Sequence, residues 1–329
     1  MANKKLFSTH GNNVKPANTV NKAGGAAYKL SDEEALCRYV TTATFNNTYY
    51  ASAGEQLAEI KKICDNVRPE LLAKAAVYGR ENAKMKDVPA YLCAVLAAKG
   101  ETQLLRKVFG RVMNNPKMLL NFVQIVRSGV TGRKSFGTSV RNMIREWIVS
   151  KNGNQLFRAS IGKDNPSFAD VIKMVHPTPQ TDEQSALFCY LLGGKVTHTV
   201  PDYVVRELGD SVQKYSFESL PQLVQDFEWF KYDNSCPLPD MDYRALTNCG
   251  LTPEHWKQIA QNMPWNTLRM NLNVLERNGV FKDQKMVDYV AGKIASKDEV
   301  QRWNVFPYEL MAAYYYAENV PPQGRNALR

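Results

Sequence analysis

The sequence predicts an all-α protein built from helical hairpins stacked side by side, as in HEAT-type solenoids. Three observations carry that expectation. Apolar residues recur at helical spacing along nearly the whole chain, in segments several turns long. Pro, Gly, Asn and Asp punctuate these segments at short intervals. Strand-like alternation is scarce, with VTHTV and the Tyr-rich YAENV region the only candidates.

Taken in order, the first 30 residues stand apart. KPANTVNKAGGAAYKL is rich in Asn, Lys, Gly and Ala and has no helix-period apolar face. Residues 1–30 are expected to form an extended basic arm, and residues 31–329 the helical domain. SDEEALCRYV opens the first helix, with Ser31 and Glu34 spaced as a capping box. EQLAEIKKICDNV places Leu57, Ile60, Ile63 and Cys64 on one face. After Arg68-Pro69 come ELLAKAAVYGREN, DVPAYLCAVLAAKG, ETQLLRKVFGRVMNN and PKMLLNFVQIVRSG, each a further helix, then the segment from Lys134 to Ser150. No strict sequence period links them.

Composition narrows the chemistry. The chain has 329 residues, 44% hydrophobic and 22% charged, and no apolar run long enough to span a membrane. The N-terminus lacks the apolar core of a secretory signal. Six cysteines at irregular spacing, several in apolar helical contexts, read as free thiols in a reducing cytoplasm. The four histidines are scattered, none at metal-ligand spacing, and no phosphate-binding, nucleophile-elbow or zinc-protease motif occurs. No catalytic residue, metal or cofactor is therefore assigned.

Net charge is +10, and it is unevenly spread. Between Thr102 and Lys163 stand twelve basic residues: Arg106, Lys107, Arg111, Lys117, Arg127, Arg133, Lys134, Arg141, Arg145, Lys151, Arg158 and Lys163. Glu146 is the single acid there, whereas residues 207–242 lean acidic. Solvated helix surfaces usually mix both signs, so this asymmetry points to a polyanion-binding face.

Within the tract, RKSFGTSVRNMIREWIVSK places Val140, Met143, Ile144, Trp147 and Ile148 on one core-facing stripe. Arg141 and Arg145 lie four apart at its border, preceded on the same edge by Thr138 and Lys134. With Arg133 and the helix N-terminus, they make a row of donors suited to phosphates. Alternatively, these arginines pair with acids on a neighbouring helix.

Downstream, SFADVIKMVHPTP starts a helix at Ser167, with Asp170 in the third position. Lys173 and His176 share a face at its C-terminal end, where Pro177 stops it. A histidine there complements the helix dipole without any further role, or serves as a ligand contact; both readings stand on the residues alone.

RKSFGTSVRNMIREW followed by NPSFADVIKMVHPTP resembles the core of the TROVE family, found in the Ro autoantigen and its bacterial and phage relatives. The opening NKAGGAAYKLSDEEAL and TATFNNTYYASAGEQL, and the later NMPWNTLRMNLNVLERNGVF and NVFPYELMAAYYY, are similar to other family blocks in the same order. The resemblance implies HEAT-like repeats curved into a ring or horseshoe. It implies a basic outer face holding a small structured non-coding RNA of the Y type, and a central hole accepting 3′ ends of misfolded RNA. His176 matches the family histidine implicated in Y RNA binding, Lys173 a basic position beside it, and Arg141 the arginine of the preceding helix. Lys163 falls where the family has an arginine. Ala159 stands at the equivalent of a family lysine, with Arg158 beside it as a substitute. Family members usually continue into a von Willebrand factor A-like domain, whose metal motif does not occur in this sequence.

The expectation is thus a non-catalytic RNA-binding scaffold in RNA quality control, working through Arg133, Lys134, Arg141, Arg145, Arg158, Lys163, Lys173 and His176. An exoribonuclease such as polynucleotide phosphorylase is a further partner the resemblance suggests. The competing reading is a helical-repeat adaptor that grips an acidic protein; a nuclease or RNA-modifying enzyme ranks last.

Overall fold

The computed structural model describes residues 17–326 except 22, 44, 49–50, 163–164, 198–200, 304–306 and 318. The chain forms two compact units, Met1–Asn152 with Gly162–Thr178, and Gly153–Ile161 with Pro179–Arg329.

In the first unit, β1 (Thr19–Val20) and β2 (Ala26–Ala27) pair antiparallel within the expected arm, whose residues 1–16 lie outside the described residues. Helices α1 (Asp32–Thr42), α2 (Ala53–Asn66), α3 (Pro69–Glu81), α4 (Asp87–Ala98) and α5 (Thr102–Val112) follow. Then come α6 (Pro116–Ser128) and α7 (Gly137–Val149). α8 (Gly153–Ser160) belongs to the second unit, and α9 (Phe168–Val175) completes the first.

Ser31 caps α1 as its spacing predicts: its Oγ accepts from the Glu34 N–H at 3.2 Å, and Glu34 accepts from the Ser31 N–H at 3.0 Å. Ser52 and Glu55 repeat the device on α2. Gln56 replaces the expected Leu57 on the buried face of α2, because its amide donates to the Asn46 carbonyl. α1, α3, α5 and α7 pack in succession as one layer, and α4, α6 and α9 as another. α4 runs through the middle of this stack, so Val88–Ala97 are all buried and its sequence carries almost no polar face.

Five lateral bonds between repeats share one offset. Asn66 donates to Asp32, Arg80 to Asn114, Lys99 to the Asp65 carbonyl, Asn121 to Asp87 and Trp147 to the Met113 carbonyl. Each pair is 34 residues apart. The solenoid thus has a period, carried by contacts between unlike residue types.

The second unit departs from an all-helical reading. α10 (Asp182–Leu191) packs on an antiparallel sheet of β3 (Lys195–Val196), β4 (Tyr203–Leu208) and β5 (Ser211–Ser216), in that order. Gly209-Asp210 makes the tight β4–β5 turn, with Gly209 at φ 59°. β3 overlaps the start of the VTHTV candidate, whose residues 198–200 lie outside the described residues. The other strand candidate is corrected, because the chain is helical through Tyr316. Helices α11 (Gln222–Tyr232), α12 (Tyr243–Leu246), α13 (Pro253–Asn262), α14 (Trp265–Met270) and α15 (Leu272–Arg277) follow. α16 (Gln284–Ile294), α17 (Lys297–Arg302), α18 (Pro307–Tyr316) and α19 (Pro322–Asn326) end the unit. Its core gathers Trp256, Ile259, Leu268, Leu275, Val280, Val287 and Val290.

All six cysteines are free. Burial pushes the Cys64 thiol up to about 12 and raises that of Cys93 as well, so both stay protonated near neutrality. Cys37 is exposed. Iodoacetamide at pH 8 is expected to label Cys37 in the native protein and to reach Cys64 and Cys93 only in denaturant; mass spectrometry of the digest reads this directly. Early labelling of Cys93 would contradict the burial of α4.

Candidate nucleic-acid interface

The site begins with the end of α9. Ser167 and Asp170 form the predicted capping box, with the Asp170 N–H donating to Ser167 Oγ at 3.1 Å and the Ser167 N–H to Asp170 Oδ2 at 3.0 Å. Hydrogen bonds from the Ser167 hydroxyl and N–H hold the Asp170 carboxyl below its usual range, with a smaller contribution from Lys173. Phe168, Val171, Ile172 and Val175 bury the other face, each contributing about 2 kcal/mol. Lys173 and His176 are left exposed.

His176 adopts the left-handed conformation, φ 51° and ψ 64°, and its N–H still donates to the Ile172 carbonyl at 2.8 Å. A non-glycine residue is costly there, and such strain concentrates at functional positions. Pro177, itself buried, fixes the exit of the chain. Together these set where the imidazole leaves the helix.

α7 supplies the neighbouring edge, with two corrections. The helix starts at Gly137 and not at Arg133, because Gly137 sits at φ 65° and interrupts helical geometry. The Arg133 guanidinium fills the space beside Gly137, donating to the Ala97 carbonyl at 3.0 Å and the Phe136 carbonyl at 3.1 Å. Arg133 is a clasp between loop and α4. Lys134, in the same loop, lays its stem across Gly129 and remains exposed. The continuous row from Lys134 to Arg145 is therefore broken.

Arg145 is the second correction. Its Nε donates to the Val175 carbonyl, and its Nη1 to Asn142 Oδ1 at 3.3 Å. It ties α7 to the residue immediately before His176. Arg141, one turn back, is exposed and has no side-chain partner among the described residues. His176 likewise has none.

Arg158 falls elsewhere. It lies on α8 in the second unit and donates to the Asp240 carboxylate at 2.7 Å and carbonyl at 2.8 Å. Lys163 is outside the described residues. Other cations of the basic tract are also engaged. Arg106 pairs with Glu146, Arg111 makes two bonds to Glu81, and Arg127 donates to the Lys134 carbonyl. The Arg111 hydrogen bonds hold Glu81 below the usual carboxylate range. The alternative of pairing with neighbouring acids thus applies to part of the tract, and it leaves Lys107, Lys134, Arg141, Lys173 and His176 outward-facing. Lys107, counted in the sequence only among the cations of the tract, joins this exposed set because its neighbours Arg106 and Arg111 are the ones that find acids.

Against this geometry, comparison with known proteins identifies the fold. The model of the TROVE domain matches residues 29–192, from the start of α1 to the end of α10. This segment is a TROVE domain. Across 91% of this chain, the TROVE-bearing sequence is 20% identical to the RNA-binding protein RO60 of Caenorhabditis elegans, covering 58% of that protein. The crystal structure of the Deinococcus radiodurans RO (RSR) protein superposes with a TM-score of 0.64 at 16% identity. That match covers 91% of this chain and 62% of the Deinococcus chain. The chain therefore spans about three fifths of the length of either relative, and the helical-repeat fold is shared.

Among the described residues no group of three His, Cys, Asp or Glu side chains could hold a metal, and no helix is long and apolar enough to cross a membrane.

Proposed function

We propose that this TROVE protein is a non-catalytic RNA-binding scaffold. It holds a structured, Y-like hairpin RNA through Arg141, Lys173 and His176, and single-stranded ends of misfolded RNA elsewhere on the chain. What carries the reading is the end of α9. A strained His176 and an exposed Lys173 end α9, which packs on the helix that carries an unpartnered Arg141, and Arg145 and Pro177 brace that end. Cations of this kind meet phosphates, and an imidazole set at a fixed angle serves the unpaired bases of a loop. Arg133, Lys134 and Lys163 enter as contributors to the surrounding field, and Arg158 drops to a structural role. We further propose that it serves in cytoplasmic RNA quality control with an exoribonuclease, a reading supported by the sequence resemblance to the TROVE family.

Reversing charge with Arg141→Glu and Lys173→Glu is expected to lower hairpin RNA affinity at least a hundredfold, with the helical circular dichroism intact. Each lost phosphate contact should flatten the log affinity against log salt plot by about one unit. Unchanged affinity and slope would place the interface elsewhere. Co-purification of a stoichiometric acidic protein free of nucleic acid would favour the adaptor reading instead.

A further inference from the structure

The sheet of the second unit has an open edge. β5 ends the strand order, and among the described residues no other segment bonds to it. It pairs with β4 without a bulge, from Leu208 with Ser211 at the turn to Tyr203 with Ser216. Hydrogen-bonded and non-bonded pairs alternate along an antiparallel ladder. The two-residue turn makes Leu208 and Ser211 a bonded pair. The Phe217 N–H, which donates to the Asp202 carbonyl at 2.8 Å, keeps the same phase at the far end. Ser211, Gln213 and Tyr215 therefore bond to β4. Val212, Lys214 and Ser216 aim their N–H and C=O groups outward, and such an edge is a template for another strand.

The side chains decide which strand fits. Val204 is fully buried on the face that α10 covers, so Val212 and Lys214 stand on the opposite, solvent face, with Val212 63% exposed. Asp210, in the turn, is exposed two residues before Val212. A twofold axis normal to the sheet lays β5 antiparallel to a second copy of itself and sets one residue against its own counterpart. Registers centred on Val212, Gln213, Lys214 or Tyr215 keep at least three strand residues of each copy in the ladder. Centring on Lys214 opposes two lysines, which is unfavourable. Centring on Gln213 or Tyr215 sets Lys214 against Val212 or Ser216 and leaves its charge unanswered. Centring on Val212 packs valine on valine and sets each Lys214 against Asp210 of the second copy, opposite charges on either side of the axis. Val212 also carries outward backbone groups, so the central pair exchanges both its hydrogen bonds.

We propose that this chain self-associates by pairing β5 with β5 of a second copy, centred on Val212, into one continuous sheet of order β3-β4-β5-β5-β4-β3. The contact is made of edge backbone, two valines and two lysine–aspartate pairs. It stands independently of the RNA-binding reading.

Sedimentation velocity on the nuclease-treated full chain tests this. So short a contact belongs with the small, weak interfaces, so the chain should be monomeric at about 1 μM and largely dimeric at about 300 μM. Asp210→Lys and Lys214→Asp each place like charges opposite one another on both sides of the axis, and each should weaken the dimer about tenfold. Combining the two substitutions restores both pairs and should bring association back to within about threefold of wild type. Val212→Lys should abolish it, with the far-ultraviolet circular dichroism unchanged in every variant. A wild type that stays monomeric across the range overturns the proposal, as do single variants that dimerise like wild type or a double variant that fails to recover. A foreign protein that co-purifies with monomeric wild type and is lost from Val212→Lys would put another chain's strand on this edge, and overturns the second-copy assignment.

Discussion

Trp147→Ala is expected to be the most destabilising single substitution in the first unit, by about 4 kcal/mol. Trp147 is 5% exposed, sits in the core stripe of α7, and donates its Nε1–H to the Met113 carbonyl one repeat earlier. Truncation empties the space between two repeats and strands a buried carbonyl. A unit of this size loses roughly 3 °C per kcal/mol, so thermal unfolding should fall by roughly 12 °C. Trp147→Phe keeps most of the ring and loses the donor, and should cost about 1–2 kcal/mol. If alanine left the melting temperature within a degree or two, the lateral bond would not be part of what holds the repeats together.

Arg145→Met should weaken hairpin RNA binding about tenfold without changing its salt slope. The two arginines of α7 look alike in sequence but differ in what they touch. Arg141 faces solvent, and its loss should flatten the slope by about one unit. Arg145 is spent on the Val175 carbonyl, so its removal frees the last turn of α9 and lets His176 relax from its left-handed geometry. Arg145→Lys, which keeps charge but has no planar fork, should be intermediate. Titrations of the three variants between 50 and 200 mM salt separate the roles, and a slope change in Arg145→Met would return that residue to the phosphate contacts.

Much of the helical architecture was legible because its signals are local. Ser31/Glu34 and Ser167/Asp170 state their helix starts in four residues, and the structure forms both boxes. The end of α9 was legible for the same reason, with Pro177 written beside His176. The β4–β5 hairpin was overlooked although YVVRELGDSVQKYS carries a Gly-Asp turn between alternating residues; β5 is mostly exposed, which left its apolar side weak. Failure was greater wherever a partner came from far along the chain. Glu81 lies 30 residues before Arg111 and Asp240 82 residues after Arg158, so counting acids within the basic tract missed both. The repeat also escaped notice, because Arg80 with Asn114 or Trp147 with a carbonyl keeps a distance in the chain and not a residue type.

That repeat has a consequence for the surface. α3, α5 and α7 begin at Pro69, Thr102 and Gly137, and Lys74, Lys107 and Arg141 stand at nearly the same depth along them. All three are exposed, and none has a side-chain partner among the described residues. Three neighbouring helices thus each offer solvent one unpaired cation, and every repeat that a polyanion reaches adds one more charge to its grip.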